Sequence, residues 1–201
     1  WWTYYGNRNR AMIGAMTHAV SDFTKMRIGY TQINTPPTAQ GDANDPNVVM
    51  RDMGVQADRD ALYAAMRALN ASGNTPTRRA TARMIRQFAR DDAGAPIKLQ
   101  CQKNAAMLFT DGYTNESPAG AATSYWNVGD VDGGYPAPYG GGTASSDTIA
   151  DYAMYGYITN PRPDLPTGKV PVPHACAGAP PDGMDCNKNL HVNFYGVTLG
   201  A

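Results

Sequence analysis

Hydrophobic residues occur at two different spacings along the chain, and these spacings divide it into alternating helices and strands. Helical spacing predicts helices over residues 8–24, 58–69 and 75–90, and the start signals Ser146 and Asp147 predict another through about residue 157. Alternating or continuous apolar runs predict strands over residues 26–33, 48–53, 104–110 and 191–199. Strands that alternate with helices in this way predict an α/β fold, with a mostly parallel sheet and helices on both of its faces.

Residues 104–115 contain the clearest strand. A continuous apolar run leads directly into an acidic turn that contains Gly112. Such a run predicts a strand that is buried on both faces, as in a parallel sheet. Asp111 then lies at the carboxyl edge of the sheet, where open α/β folds bind ligands. The alternative is that Asp111 is only a turn residue.

The composition indicates one domain without an electrostatic preference for a nucleic acid or a membrane. The 201 residues include 17 Lys and Arg and 17 Asp and Glu, so the formal net charge is zero. Nucleic acids and anionic membranes attract an excess of basic residues, so neither is an expected partner. No stretch has the roughly 20 apolar residues of a membrane-spanning helix. The 21 glycines and 15 prolines concentrate at 113–146 and 160–189, which predicts two long loop insertions.

Thr75 and Asp111 are the candidate metal-binding residues. Both are predicted at the same edge of the sheet, Asp111 after a strand and Thr75 in the loop that opens a helix. Magnesium prefers oxygen ligands and uses few protein groups, so a hydroxyl and a carboxylate fit half of such a site. The alternative is that Thr75 caps its helix. The chain lacks a Gly-x-Ser-x-Gly elbow and the usual glycine-rich nucleotide loops, which disfavours nucleophilic and nucleotide chemistry.

Several motifs carry a resemblance to a known family. Ser72-Gly-Asn-Thr-Pro-Thr-Arg-Arg79 and Leu108-Phe-Thr-Asp-Gly112 resemble the two downstream metal motifs of a von Willebrand factor A domain. Five stretches, which follow family order over most of residues 8–200, resemble the PilY/PilC family of bacterial type IV pilus tip proteins. They are Cys101-Gln-Lys-Asn-Ala-Ala-Met-Leu-Phe-Thr-Asp-Gly-Tyr113, Val128-Gly-Asp-Val-Asp-Gly133, Ile149-Ala-Asp-Tyr-Ala-Met-Tyr155, Arg162-Pro-Asp-Leu165 and Asn189-Leu-His-Val-Asn-Phe-Tyr-Gly-Val-Thr-Leu-Gly200.

The resemblance implies a von Willebrand factor A-like (Rossmann-like) fold with a metal-ion-dependent adhesion site. In such a site Mg²⁺ or Mn²⁺ accepts a carboxylate from a ligand, and Thr75 and Asp111 are the metal-site positions present in this chain. The family's Asp-x-Ser-x-Ser motif, at the end of the first central strand, does not occur in residues 1–201. We therefore expect an interior piece of a longer polypeptide. The first strand would belong between strands 26–33 and 104–110, and the last strand would follow Ala201.

The three cysteines leave several pairings open. The odd count predicts one disulfide with a free thiol, or a partner cysteine outside the chain. An exported protein is expected to oxidise its cysteines, which favours a Cys176–Cys186 disulfide, with Cys101–Cys186 as the alternative. Together with His174 and His191, Cys176 and Cys186 could instead bind zinc.

Two further features have a functional and a structural interpretation. Asp130 and Asp132 resemble the start of a calcium loop, although Gly141 stands where the bidentate glutamate is expected, and the alternative is a solvated turn. Five aromatic residues near the expected metal edge either contact a ligand or pack the long loop onto the body. They are Tyr113, Tyr125, Trp126, Tyr135 and Tyr139.

The sequence therefore predicts a non-enzymatic binding module at the bacterial surface. Its expected partners are a ligand that offers a carboxylate, the pilus tip (minor pilin) proteins, and the remainder of its own polypeptide. The alternatives are a metal-free assembly element of the pilus tip and, with less support, a divalent-metal hydrolase that uses Asp111.

Overall fold

The computed structural model of the chain describes residues 8–34, 47–70, 73–110, 112, 114–116, 126–133, 146–179 and 182–198. These residues form a mixed α/β fold with four α-helices and two small sheets. The helices are α1 (Arg8–Ala19), α2 (Gln56–Arg67), α3 (Thr77–Gln87) and α4 (Ile149–Ile158). The strands are β1 (Arg27–Ile28), β2 (Arg51–Asp52), β3 (Asn104–Thr110) and β4 (Val192–Thr198). A 3-10 helix, His174–Ala177, precedes β4.

The parallel pair β3–β4 forms the centre of the second half of the chain. The pair runs in register from Asn104 opposite Val192 to Thr110 opposite Thr198, so both predicted strands are confirmed. Helices α3 and α4 pack on one face of this pair and form a shared core with it. The buried residues of this core are Ala82, Ile85, Ala106, Tyr152 and Val192. In this packing, the first turn of α3 lies near the end of β3, where hydrogen bonds join it to the loop that follows the strand.

The opposite face of β3–β4 is open, which corrects the expectation that β3 is buried on both faces. Burial alternates along β3, and Met107 remains 49% exposed. On β4, Tyr195 and Val197 are 51% and 39% exposed. The reason is that, within the described residues, the helices that pack on this sheet, α3 and α4, share one face. The apolar run of β3 therefore does not indicate two covered faces here.

The first half of the chain forms a separate small sheet. Only Arg27 and Ile28 of the predicted strand 26–33 pair with another strand, and they pair antiparallel with Asp52 and Arg51. The two sheets are not joined by any strand in the described ranges. Helices α1 and α2 cover β1–β2 through a second core around Met53, Leu62 and Met66. The expected parallel arrangement therefore holds for β3–β4 and is wrong for β1–β2.

The helix boundaries also differ from the predictions. Helix α1 ends at Ala19, and Phe23, which the helical pattern extended to, is 42% exposed. Helix α4 begins after Thr148, not at the predicted Ser146 or Asp147. The Thr148 hydroxyl accepts a hydrogen bond from the Asp151 backbone N–H, and the Asp151 carboxylate accepts one from the Thr148 N–H. This reciprocal capping box satisfies N–H groups that an α-helix leaves unpaired at its start.

Arg162 fastens the loop after α4 to the end of α3. Its Nη1 donates to the carbonyl oxygens of Arg90 and Ile97, at 3.1 and 2.6 Å. Its Nε and Nη2 donate to the two carboxylate oxygens of Asp164, at 2.7 and 2.6 Å. This bidentate pairing raises the pKa of Arg162 above its usual value, although burial works in the opposite direction. Ile97 also belongs to a third hydrophobic core, which it forms with Val170 and Leu190.

Across the described residues, no helix combines the length and the apolar character that crossing a membrane requires.

Candidate functional site

Thr75 lies in direct contact with the loop that follows β3. The Thr75 N–H donates to Oδ1 of Asn115 at 2.8 Å, and the Asn115 N–H donates to the Thr75 carbonyl oxygen at 3.2 Å. The Thr114 hydroxyl donates to the same carbonyl oxygen at 3.1 Å. These bonds join residues about 40 positions apart in the sequence. The loop that opens α3 and the loop that leaves β3 therefore meet at one edge of the sheet.

The hydroxyl of Thr75 does not cap α3, contrary to the structural alternative for this residue. The helix begins at Thr77, its N-cap position is Pro76, and no side chain at that position accepts a hydrogen bond. Within the described residues, the Thr75 hydroxyl takes part in no hydrogen bond. Thr75 itself is half-buried.

Glu116 performs the capping from the loop after β3. Its carboxylate accepts from the N–H groups of Arg78 and Arg79 at 2.6 and 3.1 Å, and lies 3.9 Å from Nε of Arg78. Helix N-termini carry unpaired N–H groups and a partial positive charge, so a carboxylate is stabilising there. The sequence reasoning missed this residue because the cap comes from a distant segment. The one available signal was that Glu116 is the only glutamate in the chain.

Asp111, the second candidate metal ligand, lies outside the described residues. The residues on either side of it form a tight turn, in which the Gly112 N–H donates to Oγ1 of Thr110 at 3.2 Å. Gly112 has a φ of 96°, a conformation that glycine adopts without steric cost. The chain therefore turns sharply where β3 ends, as the sequence predicts. The pairing of Thr75 with Asp111 stays a prediction.

Asp130 and Asp132 meet a third carboxylate, Asp151. One carboxylate oxygen from each of the three residues lies within 4.8 Å of the others. Asp132 and Asp151 are buried and Asp130 is exposed. The sequence reasoning missed Asp151, which stands in the first turn of α4, about 20 residues further along the chain. Three carboxylates supply part of the six to eight oxygen ligands that Ca²⁺ takes.

Most of the hydrogen-bonding capacity of Asp151 serves the local structure. Its Oδ1 accepts from the N–H groups of Val131 and Asp132, and its Oδ2 accepts from the N–H and hydroxyl of Thr148. Asp130 accepts from the Gly133 N–H at 3.1 Å, as in an ordinary turn. These bonds give Asp151 and Asp130 a structural role in the loop. Calcium binding by Asp130 and Asp132 therefore stays a prediction.

Cys176 and Cys186 form a disulfide, with their Cα atoms 5.6 Å apart. Cys101 is a free, exposed thiol, so the alternative Cys101–Cys186 pairing is wrong. Disulfide sulfurs carry no thiolate, so the zinc alternative is also wrong. His191 has different partners, because its Nε2 faces Oδ2 of Asp185 at 2.9 Å and its Nδ1 faces the Asn189 carbonyl oxygen at 2.7 Å.

Asp185 organises the surroundings of this disulfide. It accepts from the amide group of Asn193 and the N–H of Asn187 in addition to facing His191. Burial raises the pKa of Asp185, but the hydrogen bonds from Asn193 and His191 outweigh burial and leave the pKa below its ordinary value. Burial, followed by the negative charge of Asp185, raises the pKa of Tyr157, whose hydroxyl donates to Asp185.

Trp126 packs into the core, in agreement with the structural interpretation of the aromatic residues. Its ring lies edge-on to Tyr155, with centroids 4.9 Å apart, and 5.9 Å from the ring of Tyr152. The Tyr152 hydroxyl donates to the Trp126 carbonyl oxygen at 2.5 Å. The other four aromatic residues, Tyr113, Tyr125, Tyr135 and Tyr139, lie outside the described residues.

Comparison with known proteins does not identify a family for this chain. The chain matches no family model, no curated protein and no solved structure.

Proposed function

We propose that the chain is a surface binding module of a type IV pilus tip protein of the PilY/PilC family. In this proposal it has a von Willebrand factor A-like fold and acts in adhesion and in pilus assembly and extension. It is not an enzyme. Its binding site captures a carboxylate of a protein or surface ligand through Mg²⁺ or Mn²⁺.

The contact between Thr75 and residues 114–115 carries this proposal. It joins the two loops that the family motifs predict at one metal site, and it does so by backbone and side-chain hydrogen bonds of 2.8 to 3.2 Å. It also keeps the Thr75 hydroxyl out of the helix cap, since Glu116 accepts from the first N–H groups of α3. A hydroxyl that no described residue engages, beside the end of a parallel strand, suits an oxygen-ligand cation site.

Thr75 and Asp111 are the residues of this chain that would hold the cation. A bound Mg²⁺ would supply a positive charge with open coordination positions for a ligand carboxylate. Asn115 and Thr114 orient the backbone of Thr75 and so fix where its hydroxyl lies. Glu116 offsets the partial positive charge at the start of α3.

Manganese titration of the full chain tests the site. Calorimetry compares the wild-type chain with Asp111→Ala, which removes the carboxylate, and Thr75→Val, which removes the hydroxyl at nearly constant volume. We expect at least a tenfold loss of Mn²⁺ affinity in Asp111→Ala and a smaller loss in Thr75→Val. Asp22→Ala, which removes an exposed carboxylate in the first half of the chain, is the matched control and keeps the wild-type affinity. Equal affinities in wild type and Asp111→Ala would end the assignment.

Adhesion requires a second measurement. The chain is passed over carboxylate-terminated and hydroxyl-terminated surfaces with Mn²⁺ and then with a chelator. We expect retention on the carboxylate surface alone, and only with Mn²⁺. Retention that is the same with the chelator would refute metal-assisted capture.

Two other functions are distinguished by the same experiments. A metal-free assembly element would bind no Mn²⁺ in the wild-type chain and would still bind minor pilin proteins. A divalent-metal hydrolase would need further carboxylates around Asp111. The acidic cluster found in the described residues is the one at Asp130, Asp132 and Asp151, and Asp111 lies outside those residues.

The Cys176–Cys186 disulfide supports an extracellular location, because disulfides persist in oxidising compartments. The pilus tip or the outer bacterial surface is the location that we propose on the basis of the resemblance.

A further inference from the structure

A cavity of about 280 Å³ lies between the second half of α3, the end of α4 and Trp126. Ile85 and Val192 line its interior, and Trp126 and Tyr155 form an aromatic wall. The residues of α3 that line the cavity are at the C-terminal end of the helix, whereas the Thr75 loop precedes its N-terminal end. Because α3 has 11 residues, its two ends are roughly 16 Å apart. The cavity is therefore separate from the candidate cation site.

The aromatic wall is held in place by contacts that do not involve a ligand. Trp126 and Tyr155 meet edge to face at an interplanar angle of 88°. The backbone of Trp126 accepts a hydrogen bond from Tyr152, which is fully buried. Gly156 permits the close approach of α4 to α3, because a Cβ there would lie 3.1 Å from Cδ1 of Ile85. A preformed apolar wall lowers the cost of ordering that binding otherwise incurs.

Among the described residues that line the cavity, Arg86 is the only charged one. It is half-buried. Within the described part of the chain, the side chain of Arg86 makes no hydrogen bond or ion pair. By contrast Arg90, one turn further on, is paired with Asp92 at 2.7 Å. The cavity thus combines an aromatic interior with a guanidinium that is available to an anion, and arginine recognises carboxylates by paired hydrogen bonds.

We propose that this cavity is an anchor site for an acidic peptide segment of a protein partner. An aromatic or long aliphatic side chain of the segment enters the cavity against Trp126 and Tyr155, and a carboxylate beside it pairs with Arg86. The size favours a single side chain as the occupant, because small-molecule sites have volumes of about 300–1,000 Å³ and this cavity, at about 280 Å³, is just below that range. Tryptophan, tyrosine and arginine are enriched among the few residues that carry most of the binding energy of protein interfaces.

The site is tested by NMR titration of the full chain with three peptides. The first is acetyl-Gly-Asp-Phe-Asp-Gly-amide. The second replaces both aspartates by asparagine, and the third replaces phenylalanine by alanine. We expect saturable shifts of the Trp126 indole and Gly156 amide signals with the first peptide. The other two peptides each bind at least fivefold more weakly.

Two variants and two matched controls test the cavity itself. Arg86→Glu reverses the charge, and Ala89→Phe fills the cavity from an exposed lining position. Arg67→Glu and Ala64→Phe make the same changes at exposed positions of α2, away from the cavity. We expect Arg86→Glu to weaken binding of the first peptide at least tenfold and Ala89→Phe to abolish it, while both controls bind as wild type.

Three results would overturn the proposal. They are the absence of saturable shifts in the wild-type chain, equal binding of the acidic and amide peptides, and unchanged binding in Ala89→Phe. Folding of each variant is checked by the dispersion of its amide spectrum. Manganese affinity is expected to be the same in Arg86→Glu as in wild type, so failure of this site and failure of the cation site are measured independently.

Discussion

Replacing Cys176 and Cys186 together by serine removes the disulfide and leaves Cys101 unchanged. The two cysteines are 10 positions apart, so the bond closes a loop of about 11 residues. Loop-closure entropy in the unfolded chain then predicts a loss of about 2.8 kcal/mol in the free energy of unfolding. For a chain of this length that loss lowers the melting temperature by roughly 6–11 °C.

The measurement is urea unfolding followed by circular dichroism, with the free energy extrapolated to zero denaturant. Cys101→Ser is the control, and its free energy of unfolding is expected within about 0.5 kcal/mol of wild type because the residue is exposed. Thiol labelling of the unreduced, unfolded wild-type chain should modify Cys101 alone. Labelling of all three cysteines, or an unchanged free energy in the double variant, would refute the reasoning.

Three further predictions concern residues that connect distant segments. Arg162→Ala breaks the buried guanidinium contacts and is expected to lower the free energy of unfolding by about 3 kcal/mol, which urea unfolding measures; a loss below about 0.5 kcal/mol would contradict it. Glu116→Ala removes the cap of α3 and is expected to cost about 1–2 kcal/mol, with Glu116→Gln between it and wild type. Equal free energies of unfolding in wild type and Glu116→Ala, measured by urea unfolding, would refute the capping role. The folded pKa of Asp185 is below the ordinary aspartate value of 3.8, so its stabilising effect is present above that pH and is lost as the pH falls through the folded pKa. Asp185→Asn should therefore flatten the pH dependence of stability below about pH 4, and parallel curves for the two proteins would exclude this contribution.

Some features of the fold follow from local sequence alone. Strand β3 begins and ends where it was predicted, because its apolar run is bounded by Asn104 and by the turn at Gly112. Helices α2 and α3 likewise occur where the helical spacing places them, with ends that differ by two or three residues. Local pattern determines these elements because helix and strand periods act over a few residues.

The candidate site was only partly predictable. The sequence places Thr75 and the end of β3 at one edge, and the hydrogen bonds between Thr75 and Asn115 join their loops. It did not identify Glu116 as the cap of α3 or Asp151 as a partner of Asp130 and Asp132. Those contacts join segments 20 to 40 positions apart, and no local period reports them. The described residues leave the position of Asp111 as a prediction.

What the sequence by itself determined is the order of helices and strands, the turn after β3 and the limited set of cysteine pairings. The tertiary structure alone decided which pairing forms, which face of β3 is covered and which residue caps α3. Residues 105–109 of β3 are all apolar, and successive residues of a strand point to opposite faces. Both faces of β3 therefore carry apolar side chains, and the sequence does not distinguish the covered face from the open one. The packing of α3 and α4 on the face that contains Ala106 and Val192 makes that choice. The physical reason is that burial and long-range hydrogen bonds depend on which segments meet in space, and local patterns do not encode that.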